Sequence, residues 1–173
     1  MDMVGSGEEI TGEELLRRYK KGERDFPLIN LYDEKCILQE ADLKGINMVA
    51  GYFLGGSFYK TNLSEACLIG FDSNCLGLEE ANFSNANLSR ACLWSSILDD
   101  ADLSRCNLEG ANLRNAHLWN ANLFNASLDG AVLANTDFTN AKHFEIHRYM
   151  TGILFWNTIM PDGSVLEGPI YIN

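Results

Sequence analysis

Apolar residues return at every fifth position over most of this chain. Leu or Phe stands at Leu38, Leu43, Phe53, Phe58, Leu63 and Leu68, with Met48 in the same phase, and then in unbroken steps from Leu78 to Phe138. A small residue precedes most of them by two places, as at Ala41, Gly51, Ala66, Ala81, Ala101 and Ala121, and Asp or Asn recurs between the two, as at Asp42, Asn62, Asn82, Asp102 and Asn122. A period of five matches neither the 3.6 residues of a helical turn nor the 2 of a strand, so neither element keeps these side chains on one face. The pattern predicts that each pentad forms one side of a polygon, with the central residue and the small residue pointing inward and the other three outward. Four pentads then close a coil. Residues 36–141 would stack about five coils at the ~4.8 Å spacing of hydrogen-bonded strands, a rod on the order of 25 Å tall. The small residue follows from sterics, because a narrow interior cannot hold two large side chains per side. Asp and Asn suit a turn-rich backbone, where they can bond nearby main-chain groups.

Two places break the phase. In Ile69–Gly77 the central position holds Ser73, and the small positions hold Phe71 and Leu76. The count is kept, so a locally distorted side is expected, with Phe71 filling the space that Ser73 leaves. Leu31 and Leu38 are seven apart, which predicts an irregular entry coil near Tyr32–Lys35 that absorbs two extra residues.

The flanks look like caps, which a solenoid needs to cover its apolar ends. Thr11-Gly-Glu-Glu14 is a capping box, and Leu15, Leu16 and Tyr19 share a face, so a helix over Gly12–Lys21 stopped by Gly22 should cover the first coil. After Ala141, Phe144–Met150 is apolar at helical spacing, followed by Ile153–Trp156 and a Met160–Gly163 turn signal. The expected organisation is an N-terminal cap and entry over 1–35, the repeat over 36–141 and a C-terminal cap over 142–173.

Strings such as Ala101-Asp-Leu-Ser-Arg, Ala111-Asn-Leu-Arg-Asn and Ala121-Asn-Leu-Phe-Asn match an A(D/N)LXX signature, and on them the chain resembles the pentapeptide-repeat proteins. The resemblance implies an all-β solenoid, the right-handed quadrilateral β-helix. The Glu-Leu-Leu-Arg-Arg-Tyr helix and the Met-Pro-Asp-Gly tail are similar to those of cyanobacterial members. It also implies two alternatives: pairing of two copies through the C-terminal cap, and DNA mimicry, since some members bind DNA gyrase in place of the duplex.

Charge bears on both. The 173 residues hold 24 acidic and 13 Lys or Arg side chains, a net charge of -11, which disfavours direct nucleic-acid binding. Residues 36–141 hold 12 acids, interrupted by Lys44, Lys60, Arg90, Arg105 and Arg114, so the acidic surface is discontinuous. No apolar run approaches the roughly 18 residues of a membrane span, and the first residues lack the basic and apolar regions of a leader, so a soluble, cytoplasmic protein is expected. Five cysteines without a CxxC pair fit a reducing compartment.

Candidate chemistry is sparse. His117, His143 and His147 form no set with a nucleophile, and Glu145 stands in the wrong place for a metalloprotease helix. No phosphate loop is present, and a filled solenoid offers no concavity for catalysis, so neither an enzyme nor a cofactor or metal site is expected. Recognition must use the outside, and there Trp and Tyr are the side chains that binding hot spots favour. Outward positions twenty apart stack, which puts Tyr59, Glu79, Asp99 and Trp119 in one column and Trp94 and Arg114 in another. Tyr59, Trp94 and Trp119 are the candidate contacts for an unidentified protein partner, and the chain is expected to be a non-catalytic scaffold or regulator.

Overall fold

The pentad around Leu63 shows how a five-residue unit satisfies its backbone. The computed structural model describes residues 7–73, 75–145 and 151–172. Thr61 N–H closes a turn onto Phe58 C=O (2.9 Å), Asn62 N–H reaches back one coil to Ala41 C=O (2.8 Å), and Leu63 and Glu65 N–H reach forward to Asn82 (2.8 Å) and Ser84 (2.9 Å) C=O. One donor, Ser64 N–H, has no main-chain acceptor, and the Asn62 side-chain oxygen takes it at 3.1 Å. The recurring Asn or Asp is therefore a structural part, since a main-chain donor without a partner costs about as much as a lost hydrogen bond. The same bond recurs from Asp42 and Asn47 through Asn82, Asp102 and Asn122 to Asp137.

Four such turns close each coil, and parallel bridges join residues twenty apart, as in Asp42–Asn62–Asn82–Asp102–Asn122–Lys142. The third turn residue is left-handed throughout, with φ near +55° to +60° at Glu65, Glu80, Arg90 and Asp100. Among the described residues from Glu40 to Asn140, sixteen such positions are not glycine, and six of these are Asn, which tolerates this region best after Gly.

Four sides result. The first is centred on Leu63, Phe83, Leu103 and Leu123, the second on Leu68, Leu88 and Leu108, the third on Ser73, Leu93 and Leu113, and the fourth on Phe58, Leu78, Leu98, Leu118 and Phe138. The regular central residues and most of the alanines beside them are buried, Ala41 and Ala126 partly, and each Leu or Phe stabilises the rod by about 1.5–3 kcal/mol.

The ladder runs past the repeat at both ends. Strand β1 (Glu9–Thr11) pairs in parallel with β2 (Asn30–Tyr32), and β2 with β3 (Tyr52–Leu54). Further along the third side, β4 (Val132–Ala134) pairs in parallel with β5 (Ile153–Trp156). Eight layers therefore stack on this side, from Glu9 to Leu154, about 34 Å at ~4.8 Å per step. Next to the repeat at both ends the bridges span 22 residues, as in Asn30–Tyr52 and Val132–Leu154, and the outermost, Glu9–Asn30, spans 21. The two extra residues at the entry lie between Leu31 and Leu38, where the buried Asp33 carboxylate accepts Ile37 and Leu38 N–H at 2.9 Å each. A side chain on Gly12 would stand 2.5 Å from that carboxylate, so only glycine lets the helix start there.

Helix α1 (Gly12–Lys20) is capped by Thr11, whose hydroxyl accepts Glu14 N–H at 3.2 Å, and it buries Leu15 over the first coil. It ends one residue before the expected Lys21. Arg18 ties it down through Glu8 at 2.7 Å and through Glu23, its guanidinium 5.0 Å from the Phe26 ring centre. At the far end Phe144 stacks on Phe138 at 4.3 Å. Phe144 and Glu145 are not helical, and the rest of the expected helical stretch, 146–150, lies outside the described residues. Strand β6 (Thr158–Ile159) pairs with β7 (Val165–Leu166) across the Met160–Gly163 turn, and β8 (Ile170–Ile172) runs antiparallel to β5, covering the last edge.

At Ser73 the phase holds but the turn bond does not. Ser96 Oγ donates to Ser73 C=O at 2.8 Å, and Leu76 N–H reaches Ser96 Oγ at 3.4 Å. Phe71 fills the interior, 6.4 Å from the Phe58 ring centre. Gly51 makes room beneath it, since a Cβ there would lie 3.3 Å from the Phe71 ring. A cavity of about 10 Å³ remains, and the buried Ser73 hydroxyl has no hydrogen-bond partner.

Candidate interaction surface

With two of every five side chains sealed inside, the outer three decide what the rod can touch. The first side carries Asp or Asn before the central residue in each coil from Asp42 to Asn122, with Ser64, Ser84 and Ser104 after it. That side is a uniform polar ladder, with Asn62 Nδ2 donating to Asp42 at 2.8 Å and Asn122 Nδ2 to Asp102 at 3.0 Å. On the fourth side the same column reads Ser57, Gly77, Ile97, His117, Asp137, so Asp or Asn is missing from four coils, and of these four Ser57 Oγ accepts the outer N–H, that of Tyr59, at 2.9 Å.

Tyr59 is half-buried and engaged. Its hydroxyl donates to Glu80 at 3.0 Å, and Lys60, paired with Glu80 at 3.3 Å, lies 4.9 Å from its ring centre. Trp94 and Trp119 are open to solvent, 41% and 47% exposed. The sequence reading put these tryptophans on separate faces. The turns Leu93–Ser96 and Leu118–Ala121 put them at the two corners that bound the fourth side, on successive coils.

Trp119 meets both neighbouring coils. Its backbone N–H donates to Asp99 Oδ1 at 2.9 Å, and its indole lies near enough to Asp137 to act on that carboxyl. Burial works to raise the Asp137 pKa, but hydrogen bonds from Thr139 and Trp119, with His117 nearby, outweigh it and hold the carboxyl below its usual range. The His117 and Trp119 rings lie 6.3 Å apart. Between the corners stands Ile97, 40% exposed where the ladder would carry Asn. Sequence reasoning missed Ile97, although an outward isoleucine at the position where the first side carries Asp or Asn was a visible signal.

Other exposed apolar residues sit elsewhere. Phe124 meets the His143 ring edge-on at 5.3 Å, and Trp156, Val165, Ile170 and Tyr171 lie on the C-terminal cap. Among the described residues no group of three His, Cys, Asp or Glu side chains could hold a metal ion. No helix of the described residues is long and apolar enough to cross a membrane. Cys106 is an inward small residue, and burial pushes its thiol up to about 12, so it remains protonated.

The family model for pentapeptide repeats matches in eight copies, over residues 36–72, 78–105 and 101–140. The chain belongs to the pentapeptide-repeat family. Residues 73–77, left out of that match, are those where Ser73 and Leu76 break the repeat and the turn bond is replaced. The fold is accordingly the family's quadrilateral β-helix.

Solved structures similar to this pentapeptide-repeat protein include one from the Arabidopsis thaliana thylakoid lumen, 24% identical, covering 64% of this chain and 70% of the other, with a TM-score of 0.43. Another is HetL, involved in heterocyst differentiation regulation in the cyanobacterium Nostoc sp. strain PCC 7120. It is 23% identical over 91% of this chain and 100% of its own, with a TM-score of 0.37. QnrB1, a plasmid-mediated fluoroquinolone resistance protein, is 16% identical over 87% and 90%, with a TM-score of 0.39. No curated protein sequence matches the chain.

Proposed function

We propose that this pentapeptide-repeat protein is a non-catalytic scaffold or regulator that binds another protein through the outside of its prism. The observation that carries the reading is the filled interior. At the one interrupted pentad the space left among Phe58, Phe71, Ser73 and Leu78 is about 10 Å³, too small for any substrate. Exposed Trp94 and Trp119 support protein recognition, since aromatic side chains dominate interface energetics. The test is cross-linked affinity capture with wild type and a Trp94→Ala/Trp119→Ala variant. A partner competed off by free protein and lost by the variant supports the reading; equal recovery removes the two tryptophans from it.

A second reading, DNA mimicry toward gyrase, is favoured by the net charge of -11. The interrupting cations, including Lys44 paired with Glu65 at 3.0 Å and Lys60 paired with Glu80, weaken it by breaking the continuous acid rows that a duplex presents. A supercoiling assay decides, and no effect on gyrase at micromolar protein eliminates it. The apolar residues Trp156, Val165, Ile170 and Tyr171 on the C-terminal cap support pairing of two copies, and a monomer mass in sedimentation at high concentration would reject that.

A further inference from the structure

The Asn and Asp ladder serves the backbone, because it satisfies the one N–H per pentad that no carbonyl reaches. A position that gives up this residue, puts an isoleucine there and leaves it 40% exposed loses a local contact without gaining burial. Departures of this kind from a fold's own rule mark sites kept for something other than folding. Ile97 is such a position, and on the next coil His117 replaces the ladder residue directly above it.

The surroundings of Ile97 have a consistent chemistry. Beside it, the Asp99 carboxylate accepts the Trp119 backbone N–H at 2.9 Å, so the corner that carries the ring is set before any partner arrives. A backbone that is already ordered loses little entropy on binding. Asp100, at the same corner, is exposed and forms no ion pair among the described residues. The fourth side also carries Glu79 and Glu80, and Lys60 is its sole Lys or Arg over residues 56–140, held by Glu80 two coils from Asp100. Arg114 stacks beyond Trp94 at the opposite corner, which leaves the Ile97–Trp119 corner as the acidic one.

We propose that the fourth side, between the coils of Ile97 and Trp119, docks a protein segment that presents an apolar side chain next to an arginine or lysine. The apolar group covers Ile97, and the cation lies against the Trp119 ring and the Asp100 carboxylate, where ring quadrupole and charge attract it together. This rests on the scaffold reading and adds the face and the chemistry of the partner. A nucleic acid is excluded by the same acids.

The test selects phage-displayed random peptides on the full chain and measures a synthetic peptide from the enriched pool by fluorescence anisotropy. Recovered sequences should be rich in Arg or Lys with a neighbouring apolar residue, and binding should weaken with salt. Ile97→Asn introduces the ladder residue that the first side carries and leaves the interior untouched. Asp100→Lys places at a left-handed turn position a residue that Lys60 shows to be tolerated there. Each should weaken the peptide about tenfold, the loss of one modest hot-spot contact, while thermal melting is unchanged. Ser84→Asp on the first side should have no effect. Failure to enrich basic peptides, or equal binding to wild type, Ile97→Asn and Asp100→Lys, overturns the proposal. Peptide binding that only the first-side change abolishes overturns it too, yet leaves the broader scaffold reading standing.

Discussion

Replacing Ser73 with leucine would give that pentad the residue its repeat calls for, and the structure argues that it would harm the protein. The free space beside Ser73 is about 10 Å³, no more than the ~10–15 Å³ that a cavity needs to hold a single water. Leucine brings two more heavy atoms than serine, and Phe71, 3% exposed and seated over Gly51, already holds their place. Ser73→Leu should therefore cost about 1–3 kcal/mol through overpacking. Phe71→Ala alone should cost about 3–5 kcal/mol by opening a cavity. The double variant recreates the regular pairing of alanine and leucine, so it should be more stable than the sum of the singles by about 2–3 kcal/mol. Ser73→Ala serves as the control: it removes an unpartnered buried hydroxyl without adding volume, and should be neutral or stabilising by about 1 kcal/mol. Urea unfolding followed by far-UV circular dichroism measures all four, with a constant m-value as the check that the same unit unfolds, since solenoids can unravel by repeats. A stabilising Ser73→Leu, or strict additivity in the cycle, would refute the claim that residues 71 and 73 share one space.

Ala50 is held at φ +51°, where a side chain costs about 1–2 kcal/mol. Ala50→Gly should raise stability by about 0.5 kcal/mol after the extra freedom of unfolded glycine is subtracted, and a lower urea midpoint would contradict the turn assignment. A thiol-reactive dye at pH 8 should label exposed Cys75 within minutes and spare Cys106, which burial keeps protonated, until urea is added; early labelling of Cys106 would mean that the inner column opens in the native state. Asp137 titrates below its ordinary value in the fold, so it stabilises above the unfolded carboxylate range and that contribution disappears as pH falls through the folded pKa. Trp119→Phe removes the indole N–H that helps lower this pKa, so the stability difference from wild type should be largest near neutrality and shrink as pH falls through the folded pKa, and a pH-independent difference would reject the interaction.

The interior was legible because burial in a five-residue unit has few solutions. Two inward positions per pentad, one large and one small, were visible in Ala101 and Leu103 as letters, and the same two are the buried pair in space. Thr11 and Glu14 announced the helix start because a cap is a local bond. The left-handed turn residue was less visible, since Glu65, Arg90 and Asp100 adopt a conformation for which their type shows no preference. Their φ is imposed by the coils above and below. Strand β1 and the pairing of β5 with β4 were not legible either, because main-chain pairing asks for no particular side chain once a neighbouring edge is in place.

The outer surface divides the same way. From the chain alone one can place Trp94, Ile97 and Trp119 outside, and the column of Asp and Asn tells where a substitution is unusual. Only the closed coil decides that Trp94 and Trp119 bound one side, and that Asp99, twenty residues before Trp119, accepts its backbone N–H while Asp137, eighteen residues after, lies near its indole. The physical reason is the length scale of each force. Burial acts on every pentad separately and so leaves its mark in each five letters, whereas contacts between outward side chains exist only after stacking has set the register of one coil on the next.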